Sequence, residues 1–398
     1  TCTQEEPFQV RISVRYGETL VGRLNDDTGP MLFQYDSDFL AGKIDLSPLY
    51  LPLQRGVIET RSPFEGNLPG LFADSLPDVW GRTIMDRRLR EGGITPESVS
   101  ILKRLALIGT GGLGALSYHP EESEEDNDFT SLQEAMQFAR AVIEASADHL
   151  PGSKLLQEAG SNPGGRFPKL LIGWNEKSEK LMIGSRDYSE AYLPCIIKLD
   201  TGKLEASHNR GLCTKEYQLL TAARTADIET LDHWLIEGED KDSGPFAHLV
   251  VQRFDRDGAA KIHTHTFGGV THQLAVRYGS SYEDLLRTTL ALCKDHRQVV
   301  QQFRRMVFNV LSGNRDDHVR NHSFLFRETT GWKLSPAYDL TPTPTKTEHA
   351  LSINAKWNSI TDSDLVEVAN LFSINKPTAI IEQSRDALKN QGMLKYHI

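Results

Sequence analysis

Three short apolar runs follow one another with only turn residues between them: "GSNPGGRFPKLLIGW", "KLMIGS" and "YLPCIIKLD". Runs of that length, bounded by Gly, Pro, Asn and Ser, read as strands of one sheet. Further on, from about residue 281 to 312, the period turns helical in "SYEDLLRTTLALCKDHRQVVQQFRRMVFNVL". A sheet-rich part that gives way to a helix-rich part restricts the chain to an α+β, bilobal plan. The cleft between two such lobes is the natural place for a ligand.

Four segments divide the chain. Residues 1–120 read as a β-rich N-terminal subdomain with a small helical insert. In it "FQVRISVRYGETLVGRL" alternates, turns at Tyr16-Gly17-Glu18 and alternates again, as a hairpin does. "LFADSLPDVWGRTIMDRRLREGG" predicts one helix stopped by Gly92-Gly93. Residues 121–152 are an acidic, solvated linker, "PEESEEDNDFT", leading into the helix "SLQEAMQFARAVIEA". Residues 153–255 hold the three strands, the helix "KEYQLLTAARTA" and the strand "FAHLVVQRFDRDG"; residues 256–398 are the helical part.

Net charge is -10 and the pI about 5.7. That acidity argues against binding nucleic acid through the whole surface. No run of about 18 apolar residues appears, so no membrane span is expected. Cys2, Cys195, Cys213 and Cys293 form no C-x-x-C pair. Reduced thiols in a cytoplasmic protein, with no zinc site, are the expectation. His263, His265 and His272 in "HTHTFGGVTHQL" raise a metal question, but H-E-x-x-H is absent and no carboxylate lies inside the run.

The chemistry concentrates in "SGNRDDHVRN", residues 312–321. Asp316 precedes Asn321 by five residues and follows Arg315, the register of the kinase catalytic loop H-R-D-x-x-x-x-N; Asp317 is out of that register. Downstream, "SPAYDL" places Asp339 after a strand–turn–strand, where a second magnesium carboxylate belongs. A polar turn that ends a helix would also look like this. Upstream, Lys198 lies in the apolar strand "CIIKLD"; a buried lysine needs a partner, and Glu216 on the next predicted helix offers one. A strand-end lysine reaching to water is the alternative.

"GSNPGGRFPK" is a glycine-rich loop ahead of a strand. Gly160, Gly164 and Gly165 would let backbone N–H groups approach phosphates, with Lys169 as a point charge; an ordinary hairpin turn is the other reading. "VVQRFD" is a connection whose backbone at Gln252, Arg253 and Phe254 can meet an adenine edge. The order of the pieces is what points to phosphoryl transfer: glycine loop, strand lysine, helix glutamate, lobe connection, Asp-x4-Asn, isolated Asp.

These residues resemble the HipA family of serine/threonine kinases, the toxin halves of bacterial toxin–antitoxin pairs. "DDHVRNHSFLF" resembles that family's D-x-H-x-K-N-F-S loop, "LSPAYDL" its L-x-P-x-Y-D segment, and "GSNPGGRFPKLLI" its G-S-S-x-G-G-x-x-P-K loop. "IIKL", "VQRFDR", "LPDVWGR" and "IGTGGLGAL" also correspond, so the resemblance spans nearly the whole chain. It implies a bilobal, protein-kinase-like fold with a helical C-terminal lobe, and ATP and Mg2+ as cofactors. Asp316 would be the base, and Asn321 and Asp339 the metal ligands. Lys198 would hold the phosphates, and Gly164, Gly165, Arg166, Phe167, Pro168 and Lys169 would cover them. Gln252, Arg253 and Phe254 would contact adenine, with His318 and Tyr338 beside the nucleotide.

The resemblance also implies a protein substrate in translation, such as an aminoacyl-tRNA synthetase. It implies a small helix-turn-helix antitoxin of HipB type as partner, with DNA contacted only through it. Arg320 stands where the family has lysine, a planar fork in place of a point charge. Family members autophosphorylate a serine in the glycine loop; here that place falls on Asn162, and Ser161 beside it is the candidate. Competing readings are a catalytically weak kinase-like binding module acting with an antitoxin, a small-molecule phosphotransferase, and a metal-dependent hydrolase built on Asp316, Asp317 and His318.

Overall fold

The computed structural model describes residues 12–26, 29–120, 128–129, 132–144, 159–160, 167–178, 180–183, 190–201, 211–240, 244–276 and 279–394. Ser161, Gly164, Gly165, Arg166 and the acidic stretch 121–127 lie outside them. The α+β bilobal plan is the one observed, with a further β unit in front.

That front unit is a five-stranded antiparallel sheet. Its order is Val57–Glu59, Leu32–Tyr35, Thr19–Asn25, Ile12–Tyr16, Leu116–His119. The predicted hairpin forms with Gly17 at φ 57, a conformation glycine takes without steric cost. The helix predicted after Leu71 is instead two, Gly70–Ala73 and Val79–Glu91. Pro77 separates them, since a proline excludes its predecessor from helical geometry, and Asp78 is the N-cap residue of the second helix. The predicted stop holds, with Gly92 as C-cap residue.

The second unit is a six-stranded sheet in the order His233–Asp240, Gly244–Gln252, Leu193–Lys198, Lys169–Asn175, Lys180–Ile183, Asp128–Phe129. The Leu132–Glu144 and Leu212–Thr225 helices accompany it. The third unit is helical. Tyr282–Cys293 starts at a Ser281 cap, and His296–Ser312 at an Asp295 cap and ends at Gly313 in the left-handed region. Asp362–Leu371 and Pro377–Asn390 close it, and a small sheet of His263–Thr266, Ser323–Arg327 and Gly331–Leu334 lies beside it.

The apolar core falls into three clusters: one runs from the third unit into the Leu212–Thr225 helix and Leu249 and Val251 of the second sheet, and the Val79–Glu91 helix joins the other two. Met85 and Leu89 pack into the front core, whereas Trp80 and Ile84 pack with Phe138, Leu170 and Ile172 in the second. Trp80 Nε1 donates to the Lys169 carbonyl at 2.9 Å, and Arg87 donates to the Ala141 and Val142 carbonyls. Against the third unit, the Gly70–Ala73 helix meets the Phe267–Thr271 helix so closely that glycine is needed on both sides.

Candidate active site

The strand Leu193–Lys198 runs antiparallel to Lys169–Asn175 with Lys198 directly opposite Lys169. Like charges so placed repel, so the pair needs carboxylates. Lys198 Nζ donates to both oxygens of Glu216, at 2.6 and 2.7 Å, and to Asp339 Oδ1 at 2.6 Å. The Lys198–Glu216 contact is the one the sequence suggested; Asp339 as a third member was not foreseen. Burial disfavours the Lys198 ammonium, but Asp339 and Glu216 outweigh it and hold its pKa above the ordinary value. Burial likewise works against the Asp339 carboxylate, yet Lys198 and Lys169 hold it well below the carboxylate range. Burial and the nearby Asp339 push Glu216 up against the pull of Lys198. Two short contacts from one ammonium to both its oxygens are those of an ionised carboxylate, and we treat the cluster as an ion triad. Lys169 is buried, and among the described residues no carboxylate is ion-paired to it; burial and Lys198 push its pKa down. These side chains, with Phe167, Pro168 and Cys213, line a cleft.

The catalytic-loop candidate follows the His296–Ser312 helix, and the two aspartates part there. Asp316 is half-exposed, and its Oδ1 meets Lys346 Nζ. Asp317 is buried and accepts from Tyr282 Oη at 2.9 Å, His349 Nδ1 at 2.8 Å and the Ala350 N–H at 2.8 Å. It is an anchor for the loop, closed to solvent. Asn321 Nδ2 donates to the Asp316 carbonyl at 2.7 Å, a bond in which its amide oxygen takes no part. His318 Nδ1 accepts the Arg320 N–H at 3.2 Å, and the ring acts electrostatically on Asp339. Asp339 itself sits at φ 54, a left-handed conformation uncommon outside glycine and typical of constrained sites.

Several sequence readings need correction. Gly160 does not face a phosphate: it is buried, and a Cβ there would lie 2.8 Å from Ile84 Cδ1 and 3.1 Å from Leu170 and Phe138 atoms. The Gln252 and Arg253 N–H groups are already spent, on the Asp232 and Pro194 carbonyls, so neither is available to an adenine. The Arg253 side chain is equally committed: it forks onto Asp255 at 2.9 and 2.8 Å, and Asp255 also accepts from Arg256 and the Gly114 N–H. Phe254 packs against Tyr338, ring centroids 5.3 Å apart. Tyr338 does not offer its hydroxyl to a nucleotide: that group donates to the Arg320 carbonyl at 2.7 Å and meets Ser323 Oγ at 2.6 Å, bracing the loop.

The histidine run is a joint. His263 Nε2 donates to the Leu46 carbonyl at 3.0 Å, and His272 Nε2 accepts the Gly70 N–H at 3.1 Å. His265 bridges Asp74 at 2.6 Å and Ser47 Oγ at 3.1 Å. The Ser47–His265–Asp74 connectivity is that of an acyl-transfer triad, but Ser47 and His265 are fully buried and no substrate reaches them. Among the described residues no group of three or more His, Cys, Asp or Glu can hold a metal. Arg320, the departure from the family's lysine, pairs with Asp78 at the start of the Val79–Glu91 helix and leans on the Leu76 carbonyl. Sequence reasoning missed it because the two residues lie far apart in the chain. Among the described residues Cys195, Cys213 and Cys293 are free thiols.

Comparison with known proteins fits this geometry. A family model described as HipA N-terminal domain matches residues 12–119. Another, described as HipA-like C-terminal domain, matches residues 161–391, more than half of the chain. The chain belongs to the HipA-like family. Two Sinorhizobium fredii relatives carry names of candidate kinases. Y4dM is 24% identical over 82% of this chain and 76% of its own length. Y4mE is 28% identical over 83% of this chain and 77% of its own. The HipA chain of a Shewanella oneidensis toxin–antitoxin complex, solved with HipB and its operator DNA, superposes with a TM-score of 0.70. That match covers 98% of this chain and 92% of the other at 17% identity, a likeness of fold. The family thus accounts for the front β unit as well as the kinase-like pair of lobes behind it. No helix among the described residues is long and apolar enough to cross a membrane.

Proposed function

We propose that this chain is an ATP- and Mg2+-dependent serine/threonine protein kinase, a HipA-like toxin. The observation that carries the reading is the triad: one lysine held at once by a helix glutamate and by the aspartate that follows the Ser323–Leu334 hairpin. Such a lysine is fixed in place and still charged, as a phosphate ligand must be. Asn321 and Asp339 suit a magnesium ion, since the Asn321 amide oxygen and one Asp339 oxygen are hard donors left over from the hydrogen bonds described. Bound there, the ion would neutralise phosphate charge. Asp316 takes the proton of the acceptor hydroxyl while that oxygen bonds to the γ-phosphorus and the bond to the bridging oxygen breaks, so ADP leaves with the electron pair. Lys198 and Lys169 hold the phosphates in line, and Asp317 and Tyr338 keep the loop rigid.

The acceptor is a protein hydroxyl, in our reading on a component of translation such as an aminoacyl-tRNA synthetase, and Ser161 is the candidate for self-modification. Because the Shewanella protein was solved with HipB and operator DNA, we extend to this chain a HipB-type partner that carries the DNA contact. The test is label from γ-labelled ATP with Mg2+ in a bacterial lysate, beside Asp316→Asn. Label on this chain or on one lysate protein, lost in the variant, supports the kinase. ATP binding with no transfer refutes it and leaves a binding module; phosphate release alone means a hydrolase.

A further inference from the structure

Lys346 lies outside every motif that pointed to the site, yet its ammonium touches the base. The contact by itself proves little: both side chains are about two-fifths exposed (40% and 39%), and exposed ion pairs are weak. What distinguishes it is the backbone that delivers it. Residues 343–346 form a turn, closed by the Lys346 N–H on the Thr343 carbonyl at 3.1 Å. That turn is fastened to the catalytic loop from both directions. The Thr343 N–H donates to the Gly313 carbonyl at 3.3 Å, and the Arg315 N–H donates to Thr343 Oγ1 at 2.8 Å. Arg315 Nη1 then donates to the Lys346 carbonyl at 2.7 Å. Gly313 and Arg315, just ahead of Asp316, therefore hold the very turn whose lysine holds Asp316. The backbone entropy of bringing the two residues together has been removed in advance, and only the side-chain rotamers are left to order.

The other described cations near the cleft have different work. Lys198 is bound by Glu216 and Asp339, Lys169 sits beside it on the phosphate side, and Arg320 is drawn away to Asp78. A base in phosphoryl transfer must present one oxygen to the acceptor at a fixed angle, and an unrestrained carboxylate rotates.

We infer that Lys346 is the positioning residue of the base: it holds Oδ1 of Asp316 so that Oδ2 is the oxygen presented to the acceptor hydroxyl. The inference rests on the kinase reading and deepens it. It makes the turn 343–346, which follows Asp339 in the chain, part of the catalytic apparatus. The base is set only while that turn is docked.

The test uses the full chain with Mg2+, γ-labelled ATP and the bacterial lysate as acceptor, comparing wild type, Lys346→Met, Lys346→Gln, Lys346→Arg, Asp316→Asn and the Asp316→Asn/Lys346→Met double variant. Transfer is followed in a single turnover, and ATP binding is measured separately by calorimetry. The Met and Gln variants should lose roughly 10²-fold in transfer rate with ATP affinity unchanged, and the Arg variant should recover most of it. On the residual rate of Asp316→Asn, adding Lys346→Met should cost nothing more, because the residue it positions is gone. Undiminished or faster transfer in the Met and Gln variants overturns the inference, the faster case meaning that Lys346 blocks the base. So does a loss that tracks ATP affinity, or one that persists in full on Asp316→Asn. A wild type that binds ATP and transfers nothing overturns the kinase reading itself, which separates the two failures.

Discussion

Gly70 and Gly269 meet backbone to backbone: a Cβ on Gly70 would lie 2.0 Å from the Gly269 carbonyl oxygen. A Cβ on Gly269 would lie 2.2 Å from Asp74 Oδ2 and 2.6 Å from His265 Cε1. The front unit is thus seated on the third unit with no space for a methyl group. Gly70→Ala should cost about 1–3 kcal/mol or more, since backbone cannot yield as a side-chain tip can. Urea unfolding measures it; a midpoint equal to wild type would mean that the contact opens freely.

Asp316 and Asp317 should separate by assay. Asp316→Asn should keep the wild-type urea midpoint and lose transfer. Asp317→Ala strands Tyr282 Oη, His349 Nδ1 and the Ala350 N–H in a buried place. A loss of several kcal/mol is expected, about 1–3 kcal/mol for each buried donor left without its acceptor. An Asp317→Ala protein as stable as wild type would contradict the anchor role.

Arg320→Lys restores the residue usual in the family and removes the fork from Asp78. Both side chains are more than a quarter exposed (28% and 29%), so the stability change should stay within about 1 kcal/mol. Asp78→Asn should do the same. A loss of several kcal/mol in either would show that the contact carries far more than its exposure allows.

Acid should loosen the histidine joint. Burial pushes His263 from 6.5 down to about 3 and His272 from 6.5 down to about 4. The folded state keeps these rings neutral, while the unfolded chain protonates them near 6.5, so the unfolded state gains protons first as pH falls. Stability is fully present above the unfolded value and drains as pH drops from there toward the folded values. For His263, which is 1% exposed, the most at stake is on the order of 5 kcal/mol. Between about pH 7 and about pH 5 ordinary carboxylates stay ionised in both states, so the histidines dominate. The urea midpoint should fall across that window, less steeply in His263→Asn; equal slopes in the two proteins would discard the assignment.

Much of this site was legible because its pieces are local. Asp316 and Asn321 carry their spacing in the sequence, and Lys198 announces itself as one charge in an apolar strand. The pairing of Lys198 with Glu216 followed from the need of a buried ammonium for a counter-charge. What escaped was set by packing between distant segments. Nothing in "TPTPTKTEH" marks Lys346, because its place depends on the Arg315 and Thr343 hydrogen bonds across the loop. Arg253 read as a nucleotide contact because its backbone lies in the connection between lobes; the tertiary fold uses its side chain to hold Asp255 against the Gly114 turn. Gly160 read as part of a phosphate loop for want of any sign that three apolar side chains would close over it. The break at Pro77 was visible and was outweighed by the helical period on either side.

The Val79–Glu91 helix puts Trp80 under the carbonyl of Lys169, and Met85 and Leu89 into the front core. Its first turn also faces Arg320 of the catalytic loop through Asp78. A rod seated in two cores cannot tilt in one without shifting in the other. Anything that grips the front sheet therefore has a mechanical lever on Lys169 and on the loop that carries Asp316 at once, without entering the cleft.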